Sequence, residues 1–384
     1  MKTLYKVFIT APYVTFFFLQ GCEKEVIPEE KVQTKYIYQE PEDLQDGLNV
    51  SDLHAEGLDS MSIKILVDSI DAGAYGIFHS LLILKNNKLV LEEYFNDWNR
   101  DDLHPMFSVT KSLASAVIGI AIESGQIADV DETVYNLLSA FEQVEWTEEK
   151  KSITLKHLLT MSAGYEWDEY GTPYDDPENP HYKMMESEDW IKYLLELPMQ
   201  FSPGEKFNYN TGTSTLFSVI VEEATGEKFD DFANTHLLSK IDINDFEWFY
   251  LTDDYAATGG SFGGIRLRSR DMAKLGLLYL NDGEWNNETV IPKSWVEESL
   301  SAHIHIPTQT GIFNYGYQWW RNEQVKDKDG GYIQVPYGVG LGGQYIFLIK
   351  DQDMLVVITS PYTPPLGTLN MFGMIEKYIL KAVQ

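Results

Sequence analysis

The pattern of apolar and polar positions predicts strands near both ends of the chain and helices between them. Ile77–Phe95 contains two β-rich runs separated by Lys-Asn-Asn-Lys, whose asparagine pair suits a tight hairpin. Further β-rich runs begin at Trp319 and occupy Gln344–Lys350 and Met354–Thr359, and a helix is expected from about Leu369. This order favours one antiparallel sheet built from both chain ends over the alternating βαβ of a parallel sheet.

The middle of the chain is predicted to be mainly helical. Phe107–Glu123 is apolar almost all round and ends before Gly125, which is typical of a buried central helix. Four more helices are predicted at Thr154–Met161, Ser187–Leu197, Thr213–Thr225 and Ser269–Leu280, the last with Ser269 as its N-cap. We therefore predict an α+β fold in which an antiparallel sheet is flanked by helices, with a helical insertion at roughly 125–260.

Composition and charge limit the class of protein. The chain has 384 residues, 44% of them hydrophobic, which is enough for the core of an enzyme-sized domain. Its formal net charge of -30 would repel a phosphate backbone, and no run of basic residues compensates locally. Nucleic acid is therefore not an expected partner.

The N-terminus has the layout of a secretory signal. Lys2 and Lys6 precede an apolar run that ends in Leu-Gln-Gly-Cys, and Cys22 is the only cysteine of the chain. This order resembles a bacterial lipobox, in which the cysteine is lipidated; the alternative is an ordinary signal peptide with an incidental cysteine. We predict a signal peptide at 1–21, a lipid-anchored flexible tether at 22–46, a folded domain at 47–384, and localisation at the bacterial cell envelope with the membrane as a partner.

The candidate chemistry lies in Ser108-Val109-Thr110-Lys111, at the start of the predicted central helix. Residues three apart on a helix project from one face, so the lysine amine can take the serine proton. Burial in an apolar helix would lower the pKa of Lys111 and make its amine a base. The spacing alone is expected by chance about once in such a chain. Its position is more informative, because a lysine in so apolar a helix needs a partner or a function.

Five segments follow one another along the chain: FSVTKSLASAVIGIAIESGQI, ITLKHLLTMSAGY, PGEKFNYNTG with EEATG, GGIRLRSRDMAKLGLLYLNDG, and GLGGQYIFLI. This ordered set resembles the serine β-lactamase and penicillin-binding-protein superfamily, nearest to its class C and esterase-like branch, which includes the 6-aminohexanoate-dimer hydrolases. The resemblance covers roughly Ile77 to the C-terminus. It implies a β-lactamase/transpeptidase-like fold and a serine hydrolase that acts on an ester, an amide or a peptide-like small molecule.

The resemblance also implies roles for individual residues. Ser108 would be the acylated nucleophile, Lys111 its base, and Tyr209 the residue that moves a proton to the leaving group and activates the deacylating water. The backbone N–H groups of Ser108 and Gln344 would form the oxyanion hole. No metal or cofactor is needed, and His303 and His305 lack a convincing third ligand nearby.

Two departures from the family pattern bear on the substrate. Thr211 stands where the family has the asparagine of Tyr-x-Asn, and it is expected to contact the substrate only weakly in its place. The family's Lys-Thr-Gly or His-x-Gly reads Leu341-Gly342-Gly343 here, so Gly342 and Gly343 are expected to line the substrate site without a cation. Because a leucine cannot hold a substrate carboxylate, efficient β-lactam hydrolysis is not expected.

A competing nucleophile is Ser261, because Gly259–Gly263 matches the G-x-S-x-G nucleophile elbow. That motif needs a buried strand before the serine and a helix directly after it. Thr252–Ala257 is not such a strand, and Ile265–Arg268 intervenes before the next helix. Two competing functions also remain open, a true β-lactamase or D,D-peptidase and a catalytically silent lipoprotein that binds peptidoglycan or another glycan.

Overall fold

The computed structural model describes residues 35–141, 144–249, 264–307, 312–361 and 370–384. The strands are β1 Asn49–Val50, β2 Ser80–Lys85, β3 Lys88–Tyr94, β4 His104–Pro105, β5 Phe246–Phe249, β6 Gly264–Leu267, β7 Glu284–Trp285, β8 Glu288–Thr289, β9 Ile304–Pro307, β10 Ile312–Tyr315, β11 Trp320–Lys326, β12 Tyr332–Gly340, β13 Gln344–Ile349 and β14 Met354–Thr359. The helices are α1 Ser60–Asp71, α2 Thr110–Glu123, α3 Val134–Leu137, α4 Glu148–Lys151, α5 Leu155–Leu159, α6 Pro180–Met185, α7 Trp190–Glu196, α8 Thr211–Thr225, α9 Phe229–Ala233, α10 Ser269–Leu280, α11 Lys293–Leu300 and α12 Met371–Met374.

The main sheet joins the two ends of the chain, as the sequence predicts. Its strand order is β1-β3-β2-β14-β13-β12-β11-β10-β9, so the C-terminal strand β14 pairs with the early strand β2. Apart from β1, which runs parallel to β3, neighbouring strands of this sheet are antiparallel. Two small sheets, β4-β6-β5 and β7-β8, lie outside it. The predicted α+β class is confirmed.

The predicted hairpin is formed by β2 and β3. Asn86 and Asn87 connect the two strands, with φ of 52° and 63°. Asparagine tolerates this left-handed conformation better than most residues, and a turn of this kind matches the twist of the strands. The Lys-Asn-Asn-Lys interpretation is therefore confirmed.

Alternate residues of the central strands pack into two different cores. Leu82, Leu84, Ile346 and Leu348 pack with α2, α8 and α10 on one face of the sheet. The opposite face, which includes Leu81, packs with α1 and the C-terminal helical segment. The period of two along a strand thus separates two apolar layers. Helix α2 is covered by the sheet and by other helices, as expected of a central helix.

Two local predictions differ from the structure. The predicted helix Phe107–Glu123 begins with the 3₁₀ turn Phe107–Val109 and becomes α-helical only at Thr110. Ser269 is not the N-cap of α10 but its first helical residue, and the extended Arg268 occupies the N-cap position. The Ser269 hydroxyl instead pairs with that of Ser80, 2.7 Å away. The hydroxyl expected to cap α10 is thus hydrogen-bonded to a residue that is distant in sequence.

The segment before residue 47 packs on the sheet. The Tyr38 hydroxyl donates to the carbonyl of Val90 at 2.9 Å, and Asp46 pairs with buried Arg270 at 2.7 Å. Ordered structure therefore begins earlier than the predicted boundary at Gly47. The predicted signal peptide and Cys22 lie outside the described residues, and no helix of the described part is long and apolar enough to cross a bilayer.

Candidate active site

A strained turn presents Ser108. It lies in the 3₁₀ turn that leads into α2, and the N–H of Met106 donates to the carbonyl of Ile265 in β6 at 3.0 Å. Phe107, directly before the serine, has a φ of 47°, which is uncommon for a residue with a bulky side chain. Such strain persists only where the surroundings fix it, and it often marks a functional position. N–H groups in the first turn of a helix lack intrahelical acceptors, so the N–H of Ser108 is suited to an oxyanion.

Ser108 and Lys111 meet as the spacing predicts. The Lys111 amine donates to the Ser108 hydroxyl, with 3.0 Å between Nζ and Oγ. Lys111 is only 6% exposed, although its side chain carries an amine. A buried lysine whose hydrogen-bond partner is a serine hydroxyl is the arrangement that proton transfer from the serine requires.

Tyr209 lies beside Lys111 and stacks against two aromatic rings. Its ring stacks on Tyr170, with centroids 5.4 Å apart, and on Trp320, with centroids 5.7 Å apart. The Lys111 nitrogen lies 5.3 Å from the Tyr209 centroid. Directly after Tyr209, the side chain of Asn210 caps α8 by accepting from the N–H of Thr213. Stacking and the helix start together fix the position of Tyr209.

Ser108 and Lys111 open into a cavity of about 540 Å³. Its lining consists of Phe107, Ser108, Lys111, Glu169, Tyr174, Asp175, His181, Tyr182, Met185, Glu186, Thr211, Ser214, Thr215, Phe249 and Leu341. A site of this size, with apolar and aromatic walls and a few polar groups, suits a small-molecule substrate. We call it the catalytic cavity.

The donors of Thr211 are directed into the protein. Its N–H donates to Glu169 Oε2 at 2.7 Å, and its hydroxyl donates to Oε1 at 2.6 Å. Thr211 therefore lines the catalytic cavity, but its hydroxyl proton is already used. It retains only lone pairs, whereas an asparagine amide could donate to a substrate carbonyl.

The loop Leu341–Gly343 is fixed by the side chain of Gln344. The carboxamide nitrogen donates to the carbonyls of Leu341 at 3.1 Å and Ser360 at 2.9 Å, and its oxygen accepts from the N–H of Ser360 at 3.1 Å. Gly342 and Gly343 have φ of 85° and 103°, which favours glycine at both positions. Leu341 reaches the catalytic cavity, whereas Gly342, Gly343 and Gln344 are not among its lining residues.

Charges around the catalytic cavity are mostly negative. Burial lowers the pKa of His181; the nearby Glu169 carboxylate opposes this shift and Lys111 adds to it. Arg266 in β6 and Arg268 directly after it pair with Glu247 and Asp245, and neither is among the residues that line the catalytic cavity. These arginines are therefore engaged by carboxylates and do not supply the cation that Leu341 lacks.

Sequence reasoning missed Glu169 and did not identify the partners of Tyr209. Glu169 lies in a stretch rich in acidic residues, and nothing in the sequence separates it from Glu166 or Asp168. Trp320 comes from a strand more than a hundred residues away, so local spacing could not pair it with Tyr209. The competing nucleophile Ser261 lies outside the described residues.

The amino-acid sequence is similar to that of a known protein family. The family model "Beta-lactamase" matches residues 71–370. A 6-aminohexanoate-dimer hydrolase of Paenarthrobacter ureafaciens is 25% identical over 307 residues, covering 74% of this chain and 73% of that protein.

Solved structures agree on the fold. EstCE1, described as a hydrolase with promiscuous acyltransferase activity, superposes with a TM-score of 0.66 at 15% identity, covering 85% of this chain and 100% of that one. The octameric penicillin-binding protein homologue from Pyrococcus abyssi gives 0.60 at 19% identity, covering 82% and 75%.

Proposed function

The chain belongs to the beta-lactamase family of serine hydrolases, and from that premise we propose that it cleaves an ester or amide through an acyl-enzyme on Ser108. The observation that carries the proposal is the 3.0 Å contact between Lys111 Nζ and Ser108 Oγ inside a cavity of about 540 Å³. Lys111 is the base, and Tyr209 is the second acid/base group.

The proposed acylation step uses these groups as follows. The amine of Lys111 takes the hydroxyl proton as Ser108 Oγ bonds to the substrate carbonyl carbon. The negative charge then develops on the carbonyl oxygen, where the N–H groups of Ser108 and Gln344 are proposed to donate. Tyr209 passes a proton to the leaving alcohol or amine as the ester or amide bond breaks.

Deacylation uses the same groups in the reverse order. Tyr209 takes a proton from a water molecule, whose oxygen bonds to the acyl carbon, and the Ser108 oxygen leaves and regains its proton from Lys111. The stacking of Tyr209 against Tyr170 and Trp320 supports this role, because it restrains the position of the Tyr209 ring.

The substrate proposed is one that needs no carboxylate anchor. Leu341 lines the catalytic cavity where a cationic side chain would be needed to hold a carboxylate, and Arg266 and Arg268 are already paired. This favours neutral or cationic esters and amides over β-lactams. For the whole chain we further propose export and lipidation at Cys22, which would anchor the enzyme at the cell envelope.

Turnover by matched variants tests the mechanism. The change Ser108→Ala is expected to abolish hydrolysis of a p-nitrophenyl ester. Tyr209→Phe is expected to lower kcat by about 10² to 10³ with little change in thermal stability, because its ring still stacks. Ser124→Ala is the control and should leave kcat unchanged, because Ser124 is exposed at the C-terminal end of α2, far along that helix from Ser108.

Two results would contradict the proposal: full ester turnover by Ser108→Ala, or faster turnover of a chromogenic cephalosporin than of the ester by the unaltered protein.

A further inference from the structure

Glu169 is a buried carboxylate in the wall of the catalytic cavity. It is 2% exposed, and three side chains and one backbone group donate to it. The donors are Trp167 Nε1 at 2.9 Å, the Tyr174 hydroxyl at 2.7 Å, and the N–H and hydroxyl of Thr211 at 2.7 and 2.6 Å. A carboxylate that accepts four hydrogen bonds is held in place as a charged acceptor.

The contacts of Glu169 determine which hydrogen-bond donors and charges the adjacent cavity wall presents to a substrate. Both donors of Thr211 point to Glu169, so a substrate carbonyl finds no free donor there. A fixed negative charge stands in the same wall. Because this charge is buried, salt and water screen it less than a surface charge.

The other charges of the cavity lining reinforce Glu169. Its described residues carry three carboxylates, Glu169, Asp175 and Glu186, against one amine, Lys111. Asp175 and Glu186 are exposed, whereas Glu169 is buried. Glu169 is therefore the lining carboxylate whose charge is screened least by water and salt.

We propose that Glu169 is the specificity-determining residue of this site, and that it selects esters and amides carrying a cationic group near the scissile bond. The same charge disfavours substrates that carry a carboxylate. This inference rests on the proposed function, since it concerns the substrate of the Ser108 site. Glu169 acts on the substrate through its charge, and all four of its hydrogen bonds go to the protein.

The first test uses the unaltered protein and three p-nitrophenyl esters of equal acyl length. One ends in a trimethylammonium group, one in the uncharged tert-butyl isostere, and one in a carboxylate. We expect kcat/KM for the cationic ester to exceed that for the tert-butyl ester by about tenfold, the order expected for one charge pair about 12 Å apart at an effective dielectric constant of about 20. The carboxylate ester should be the poorest. Equal values for all three esters would overturn the proposal.

The second test assigns the preference to Glu169. In Glu169→Gln the cationic preference should fall below about threefold, whereas Glu166→Gln, the same charge change on an exposed residue of the same loop, should keep it. A double variant, Asp175→Asn with Glu186→Gln, should also keep most of the preference, and it gives a result even if Glu169→Gln fails to fold. A preference that survives in Glu169→Gln, or that disappears in the double variant, would overturn the assignment.

A binding measurement separates this inference from the proposed function. The N-methyl amides of the trimethylammonium and tert-butyl acids are titrated calorimetrically into Ser108→Ala protein, which needs no turnover. A tenfold affinity ratio together with no esterase activity in the unaltered protein would refute the acyl-enzyme and support the specificity of Glu169. Esterase activity of the unaltered protein together with equal affinities for the two amides would support the acyl-enzyme and refute the specificity of Glu169.

Discussion

At the scale of residues, the burial of His79 and His104 affects how the stability of the protein depends on pH. His104 Nδ1 lies 3.2 Å from the Pro105 carbonyl, which can only accept, so Nδ1 carries the proton. His104 Nε2 is then an acceptor, and His79 Nδ1, 2.9 Å away, donates to it. His79 also stacks on Trp98, with centroids 4.3 Å apart. Burial lowers the pKa of both imidazoles, so both rings are neutral at pH 7. His104 lies four residues before the nucleophile.

This pair predicts a loss of stability in acid. Burial lowers the pKa of His104 from 6.5 to about 4, with a smaller contribution from His79 and an opposing one from the Pro105 carbonyl. A depressed folded-state pKa gives stability that is complete above about pH 6.5 and is lost as the pH falls toward 4. The loss from His104 is about 3 kcal/mol at full protonation. Thermal unfolding at pH 7 and pH 4.5 checks this.

The matched variant for that measurement is His104→Gln, which stays neutral and can still accept from His79. Its Tm should fall less between the two pH values than that of the unaltered protein. Equal falls would show that His104 does not carry the effect.

At the scale of elements, the nucleophile turn is set by the strand packed against it. A Cβ built on Gly340, at the end of β12, would lie 2.3 Å from the Met106 carbonyl oxygen. The backbones of β12 and of the Met106–Ser108 segment therefore touch, and only glycine allows that approach. The end of β12 therefore packs directly against the turn that carries Ser108.

Gly340→Ala is accordingly expected to displace Ser108. Because a shift of about 1 Å at a catalytic group can cost roughly 10²-fold, kcat for a p-nitrophenyl ester should drop at least about tenfold, with a lower Tm. Gly338→Ala is the control on the same strand. Its Cβ would meet side-chain atoms of Ser112 at 3.2 Å and Val109 at 3.4 Å, and not a backbone oxygen at 2.3 Å, so it requires a much smaller adjustment. Similar kcat values for the two variants would contradict the packing argument.

Elements and residues differ in how far sequence could predict them. The β2–β3 hairpin, the buried α2 and the Ser108–Lys111 pair depend on local spacing, which the sequence contains. Ser269 was misassigned because a distant Ser80 competes for its hydroxyl. Glu169 owes its position in part to donors from Thr211, 42 residues further along the chain, and Trp320 reaches Tyr209 only through the sheet. Contacts between distant segments carry no local pattern, so they required the structure.

At the scale of the whole molecule, the chain combines a strongly acidic enzyme with a predicted lipid anchor. Its net charge of -30 is repelled by anionic surfaces, so electrostatics alone would not hold it on a membrane. Covalent lipid would be required for attachment, and the predicted attachment site is Cys22.

This predicts a difference in detergent partitioning. Full-length protein made in a Gram-negative host should enter the detergent phase of Triton X-114, whereas Cys22→Ala should stay in the aqueous phase. Immunoblotting of both phases gives the result, and a soluble periplasmic protein serves as the control. Aqueous partitioning of both forms would refute lipidation.

Mapping the serine that reacts with a fluorophosphonate tests the central claim most directly. The protein is labelled, digested and analysed by mass spectrometry, with circular dichroism to confirm that each variant is folded. We predict a single adduct on Ser108, and labelling slowed by about 10² or more in Lys111→Ala. An adduct on Ser261, or an unchanged rate in folded Lys111→Ala, would contradict the account.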